Sequence, residues 1–524
     1  MKTSGMTKTK LFFKNNYKIL GLCLLLTLLN IFFLCWSFKT YNLTFGKTFI
    51  LMVAGTIVLE IILCTIIYFS KKKKWKIEKL FLVLSLIIGI IYVFALPVGR
   101  APDEESHFFR IYEITTGHII PDTAEDGITR GSTEASNIEI VRDFKENNVK
   151  YADVINALSI YPDESDQSFV KNSASGYNPI VYLPHLLGMG IGEGLHLPLL
   201  ITAYLAKLFN CIACIVILYF CIKYIPLLKE IIFFAAFLPI TMQAMTSLSA
   251  DGFITAIAIA FISFVLYATY SLQKPFTKKH YIVILALCII LSLSKIVYAF
   301  LCLLIFAIPK ERFGNQKRKL IGIFSIGGIC AVILFSWLVL SSSSASSVDP
   351  TNQNILFSNP LKFLAILVHS LSTHFYLYFN GMLGGYLEWF NITLSPLYLF
   401  PSLVILVLLC KKYHDTYKIS PTLRILAIFI FSIISLLTFT GMFTQWTKPG
   451  ETLIDGVQGR YFLPILLLIP LAFMSSQKSQ NSKSSTTVAP LSKSPLNFKQ
   501  NYYLYCFYIF ESVYAITSIA CYHL

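Results

Sequence analysis

Charge is scarce in this chain of 524 residues: Asp, Glu, Lys and Arg make up 13% of it, against about 25% in an ordinary soluble domain. So little charge cannot clothe a soluble surface of that size, and a soluble globular protein is excluded. Strand-type alternation is missing as well. Only helices and closed barrels satisfy backbone polar groups in lipid, so the apolar segments are expected to be helices. There is no phosphate-binding glycine loop, no dinucleotide fingerprint after a strand, no HExxH and no nucleophile elbow, so nucleotide use and serine or zinc hydrolysis find no support. None of the twelve cysteines falls in the polar stretch 98–176. Cys211 and Cys214 form a CxxC, but inside an apolar run where metal or redox chemistry lacks access and partners. No small-residue cleavage site follows the first apolar run, which therefore reads as a retained anchor. No internal repeat is visible.

What is present is hydrophobicity: 56% of the residues are apolar, in runs of about 20, the length that crosses a bilayer core. The net charge of +16 does not point to nucleic acid. Its basic residues sit in short clusters between apolar runs, at 8–18, 71–79, 223–229, 274–279, 310–319 and 411–418, which is the positive-inside pattern of a multi-pass protein. These clusters are expected to face the cytoplasm. Residues 1–78 then form an N-terminal transmembrane hairpin, 79–475 a membrane core with outer loops at 98–197, 342–392 and 447–459, 476–500 a flexible inner linker, and 501–524 a C-terminal transmembrane helix.

The stretch 98–176 holds fifteen acidic and seven basic residues and is too polar to cross. The run 177–194 carries Pro179, Pro184 and four glycines, poor material for a spanning helix. Counted as a span, it would also put the next three basic clusters outside. It is expected to lie on or dip into the outer leaflet. The run 281–308 lies between two basic clusters and must enter and leave on one side. At 1.5 Å per residue it is too short for two full crossings, so a bent pair near Ser294 and Lys295 is expected. Further spans are expected at 198–222, 230–247, 251–272, 319–341, 393–410, 424–446 and 460–475. The fold class that results is an all-α polytopic membrane protein of about 11–13 transmembrane helices, with a large outer loop carrying juxtamembrane helices.

On this topology the unusual polar groups gather on the outer side. Pro102, Asp103, Glu104, Glu105, Ser106 and His107 follow the third span directly. Asp103 there is either the cap of a helix starting at Glu104 or a carboxylate within reach of a lipid head group. His107, four residues on, shares its face. Asp251 closes the corner 247–252 and can equally be a cap. Lys295 lies in an otherwise apolar run, where a charge costs about 2.5–3.5 kcal/mol and usually has a partner or ligand, unless it snorkels to the interface. Arg460 and Tyr461 begin an apolar run at 458–464. Arginine's fork suits phosphate oxygens, and Arg and Tyr are also ordinary interfacial anchors. The aromatics of 342–392 can stack on a sugar, line a lipid groove or form an interfacial belt.

Taken together these motifs resemble a family of bacterial membrane proteins catalogued as domain of unknown function 2142. The resemblance rests on Pro102, Asp103 and Glu104 with His107 and Phe108; Tyr177, Asn178 and Pro179 with Tyr182 to Pro184; Ser249 to Asp251; Lys295; and Gln458 to Pro464. It covers roughly residues 79–475. That family in turn is similar to the GT-C class of integral membrane glycosyltransferases, which take a sugar from a polyprenyl-phosphate carrier. The resemblance implies a GT-C-like helical bundle in a bacterial plasma membrane, with the N-terminus cytoplasmic and the main loops extracellular. It implies an acidic motif in the first large outer loop, matched by Asp103 and Glu104, and a second carboxylate at the next outer corner, matched by Asp251. His107, Lys295, Arg460 and Tyr461 are the candidate substrate-binding residues. The implied partners are a polyprenyl-phosphate-linked sugar, a cell-envelope polysaccharide or glycolipid acceptor, and membrane lipids. The carboxylates leave room for a divalent metal without requiring one. The alternatives are a transporter or flippase for envelope lipids, and a non-catalytic scaffold.

Overall fold

The computed structural model describes residues 2–126, 129–341, 350–476 and 502–524; the expected linker at 476–500 lies, except for its first residue, outside them. The chain opens with α1 (Lys2–Thr40), α2 (Lys47–Lys72) and α3 (Ile77–Ala95). An outer layer follows, built of α4 (Glu104–Thr115), α5 (Ile140–Glu146) and α6 (Tyr151–Ala157) around a small antiparallel sheet, β1 (Asp122–Thr123), β2 (Arg130–Ala135) and β3 (Gln167–Lys171), in that order. Then come α7 (Leu183–Gly194), α8 (Leu199–Tyr224), α9 (Lys229–Phe237), α10 (Pro239–Met245), α11 (Asp251–Tyr270) and α12 (Lys278–Ser294). The last third contains α13 (Lys310–Phe313), α14 (Gln316–Ser341), α15 (Pro350–Ser358), α16 (Pro360–Leu383), α17 (Pro396–Thr416), α18 (Pro421–Gln445), α19 (Leu468–Phe473) and α20 (Tyr502–His523). The protein is an all-α polytopic membrane fold.

Several helices start on a polar residue followed by proline. Asn359 and Ser420 each accept a backbone N–H with their side chain while Pro360 and Pro421 take the first helical position, where a missing N–H costs nothing. Asn178 does the same for the 3-10 turn Pro179–Tyr182 that leads into α7.

Nine helices among the described residues are long and apolar enough to cross a membrane, ten if the bent pair α15–α16 counts as one span. That is fewer than the expected 11–13, because two expected spans are broken. The run 230–247 divides at Pro239 into α9 and α10, of nine and seven residues, since proline cannot continue the hydrogen-bond ladder. The run 460–475 divides into a 3-10 helix, Gly459–Ile465, and α19. The run 281–308 breaks where the bent pair was expected, at Lys295, which is extended. Its second arm is not α-helical but 3-10, Ile296–Ala307. At about 2 Å per residue it reaches about 24 Å, close to the length of α12, so two unequal stretches of sequence make two arms of matched length.

The stretch 342–392 also differs from expectation. It is not a loop: α16 runs for 24 residues of it, with Leu361, Leu364, Val368 and Phe375 exposed along one face. Its glycines and aromatics masked a period of 3.6. In 177–194, the helix α7 has twelve residues, too few to cross. Gly188 lets it lie directly on α8, because a Cβ there would stand 2.6 Å from the Ala206 Cα.

Candidate phosphate and carboxylate site

Four elements separated in sequence converge on one cluster of charges. Arg460, on the 3-10 helix that starts at Gly459, reaches two carboxylates at once. Its Nη2 pairs with Asp103, and its Nη1 lies 3.1 Å from the Asp251 Oδ2. Asp251 also takes Lys295, whose Nζ is 2.8 Å from Oδ1. Arg460 is fixed further by Nε donating to the Gln458 Oε1 at 2.7 Å and Nη1 to the Pro102 carbonyl at 3.1 Å.

Neither aspartate behaves as a helix cap. Asp103 stands at the start of α4 with φ +62°, a left-handed conformation uncommon for a side-chain-bearing residue, and makes no capping bond. Asp251 is the first residue of α11 and directs both oxygens at cations. Their surroundings differ: the Asp103 side chain is 41% exposed and that of Asp251 9%. Burial works to raise the Asp103 carboxyl, and the Arg460 guanidinium, with His107 behind it, outweighs that and holds it below the ordinary carboxylate value.

Glu104 takes no part in the charge cluster. It is fully buried, with Oε2 accepting from the Ala101 N–H and Oε1 from the Leu248 N–H, both at 2.9 Å. It therefore staples the loop that carries Asp103 to the corner that carries Asp251. The same corner is held from α8, where Asn210 donates to the carbonyls of Met245 and Ser247. His107 is buried as well, its Nδ1 2.5 Å from the Tyr182 hydroxyl, and burial pushes its imidazole down to about 4. It is neutral at pH 7 and supports the wall of the site through the Tyr177 ring, 5.2 Å away. Tyr461 faces the cations directly, its ring 5.0 Å from the Lys295 Nζ and 5.2 Å from the Arg460 guanidinium carbon.

Asp103 and Lys295 line a cavity of about 590 Å³, with their partners Arg460 and Asp251 behind them. Tyr177 and Tyr461 line it as well, together with Leu334, Trp337 and Leu338 of α14 and Leu437 and Met442 of α18. A charged head and an apolar trough thus share one space. The donor set does not suit a divalent cation, since both aspartates already face cationic side chains. Among the described residues no cluster of three His, Cys, Asp or Glu is spaced for a metal.

A second polar centre has no counterpart in the sequence reading. Arg100, Glu388 and His523 are all buried; the Arg100 Nη2 lies 2.8 Å from the Glu388 Oε2, and the His523 Nε2 2.5 Å from Oε1. This group ties the outer layer to the segment after α16 and to α20. Two further ionisable residues inside apolar helices, Lys207 in α8 and Glu511 in α20, are fully buried. The rule that singled out Lys295, a charge inside an apolar run, would have found both.

The family model described as "Predicted membrane protein (DUF2142)" matches residues 86–469. No curated protein and no solved structure matches the chain.

Proposed function

The chain belongs to the DUF2142 family of predicted membrane proteins, and from that premise we propose that it is a glycosyltransferase moving a sugar from a polyprenyl-phosphate carrier to a cell-envelope acceptor. The transfer takes place at the outer face of a bacterial plasma membrane. The observation that carries this reading is one cavity lined both by Asp103 and Lys295, whose ion-pair partners are Arg460 and Asp251, and by leucines of α14 and α18. A polyprenyl phosphate has that division between an anionic head and an apolar tail.

In the reaction an acceptor hydroxyl attacks the anomeric carbon as its proton passes to a carboxylate. The bond from that carbon to the phosphate oxygen breaks, and its electron pair leaves with the phosphate. Arg460 and Lys295 stabilise the departing charge. Asp103 is the base, since it is the exposed carboxylate on the cavity and Glu104 is committed to two backbone N–H groups. Asp251 holds the two cations at a fixed spacing. A single displacement of this kind inverts the anomeric centre.

Purified protein, returned to membranes of a strain lacking it and supplied with labelled lipid-linked sugar, tests the reading. Label appearing in an envelope polymer with release of polyprenyl phosphate supports the transferase. Label that crosses the bilayer still attached to lipid favours a flippase instead, and neither outcome leaves a scaffold.

A further inference from the structure

The charges of the site cancel one another. Arg460 and Lys295 bring two positive charges, Asp103 and Asp251 two negative, and the Arg460 guanidinium is engaged by both carboxylates, by Gln458 and by the Pro102 carbonyl. A phosphate that is to reach Arg460 from the cavity must therefore take it away from a carboxylate. The two carboxylates are not equally placed to yield. Asp251 is held by both cations and is 9% exposed, whereas Asp103 is held by Arg460 alone, is 41% exposed and lines the cavity. Asp103 is also the one whose backbone is in the left-handed region, a conformation that needs surrounding contacts to persist.

We propose that a lipid-linked phosphate binds by ligand exchange, displacing the Asp103 carboxylate from Arg460 while Asp251 stays clamped between Lys295 and Arg460. The anion takes the Nη2 edge of Arg460 together with the Lys295 ammonium, which lies 23% exposed between the Tyr177 and Tyr461 rings. Asp103 swings free beside the bound head group without leaving the cavity. In the resting protein the arginine masks the carboxylate, so the base is released only when the phosphate is in place. The inference rests on the transferase reading for its ligand and deepens it by making one residue both competitor and base.

The exchange predicts an inverted mutational effect. A residue that merely supports a binding arginine weakens binding when neutralised; a competitor strengthens it. Binding of a short-chain polyprenyl monophosphate to detergent-solubilised protein is measured by calorimetry, with inorganic phosphate and the dephosphorylated polyprenol in parallel. The pair separates the contribution of the head group from that of the tail. Asp103→Asn is expected to bind the monophosphate about two- to fivefold more tightly than the wild type, the upper part of the span of a surface ion pair. Asp251→Asn is expected to bind it more weakly. Asp103→Ser, smaller and equally uncharged, repeats the measurement should the asparagine protein not fold. Binding to wild type with unchanged or weaker affinity in the folded Asp103 variants overturns the exchange and leaves the phosphate site standing. Absence of monophosphate binding to every variant overturns the exchange together with the transferase reading.

Discussion

Asp103 and Glu104 are neighbours of the same chemistry, and their fates are set by what stands opposite each. Asp103 meets a guanidinium at the edge of a cavity, Glu104 two backbone amides inside the fold. Asp103→Asn is accordingly expected to lower transfer per folded molecule by about 10²–10⁴, the usual cost of losing a general base, with membrane level unchanged. Glu104→Gln is expected to act on stability, because an amide presents one acceptor oxygen where the loop and the corner need two. Thermal melts beside activity separate the two effects. Arg460→Ala should weaken lipid-phosphate binding and Arg460→Lys recover part of it, as a point charge replaces a fork; equal affinities in all three proteins would reduce Arg460 to an anchor. His107 adds a pH dependence. Its folded value of about 4 lies below the ordinary 6.5, so the unfolded chain binds more protons between these values. Stability then falls as pH drops through that window, by on the order of 3 kcal/mol. His107→Gln should flatten the melting temperature against pH from 6.5 to 4. Asp103, Asp251, Lys295 and Arg460 were legible because each is a charge at a corner or inside an apolar run. The division of labour between Asp103 and Glu104 was not, since it depends on Leu248, 144 positions away.

Elements are where the sequence was hardest to read. Apolar content marks what lies in lipid, but not whether the backbone continues through a proline or changes from α to 3-10, and that decision shaped 230–247, 281–308 and 460–475. It also bears on the site, because Lys295 stands at a break and Arg460 at the start of a 3-10 helix. Two glycines beside site residues hold the backbone against its neighbours. A Cβ on Gly252 would stand 2.6 Å from the Ala244 carbonyl carbon and 2.7 Å from the Met245 Cα, and one on Gly459 would stand 2.5 Å from the Tyr378 oxygen with the Met382 amide closer still. These are backbone atoms that cannot turn aside. Gly252→Ala and Gly459→Ala are each expected to cost about 1–3 kcal/mol of stability. Both should also impair transfer by moving Asp251 or Arg460, the residue next in sequence, out of reach of its partners. A melt unchanged from wild type in either variant would show that the contact relaxes without strain.

The whole molecule is an assembly of distant parts: α20 packs against α1, α2 and α3, so the last helix closes the bundle that the first three begin. The sidedness expected from the basic clusters has a direct measurement. In a background cleared of native cysteines, a cysteine at Ser165 should react with an impermeant thiol reagent in intact cells, and cysteines at Lys74 and Gln316 should not. All three positions are exposed, so burial does not confuse the result, and outside labelling at Gln316 would overturn the paired-arm reading of 281–308. The buried group of Arg100, Glu388 and His523 has a consequence for biogenesis. Synthesis is vectorial, so the segment bearing Arg100 is made long before Glu388 and His523 have been polymerised. Until then the arginine has its backbone carbonyls but no counter-charge, and the outer layer cannot lock. A ribosome-stalled chain ending before α20 should therefore leave residues 98–176 open to an external protease that the finished protein resists.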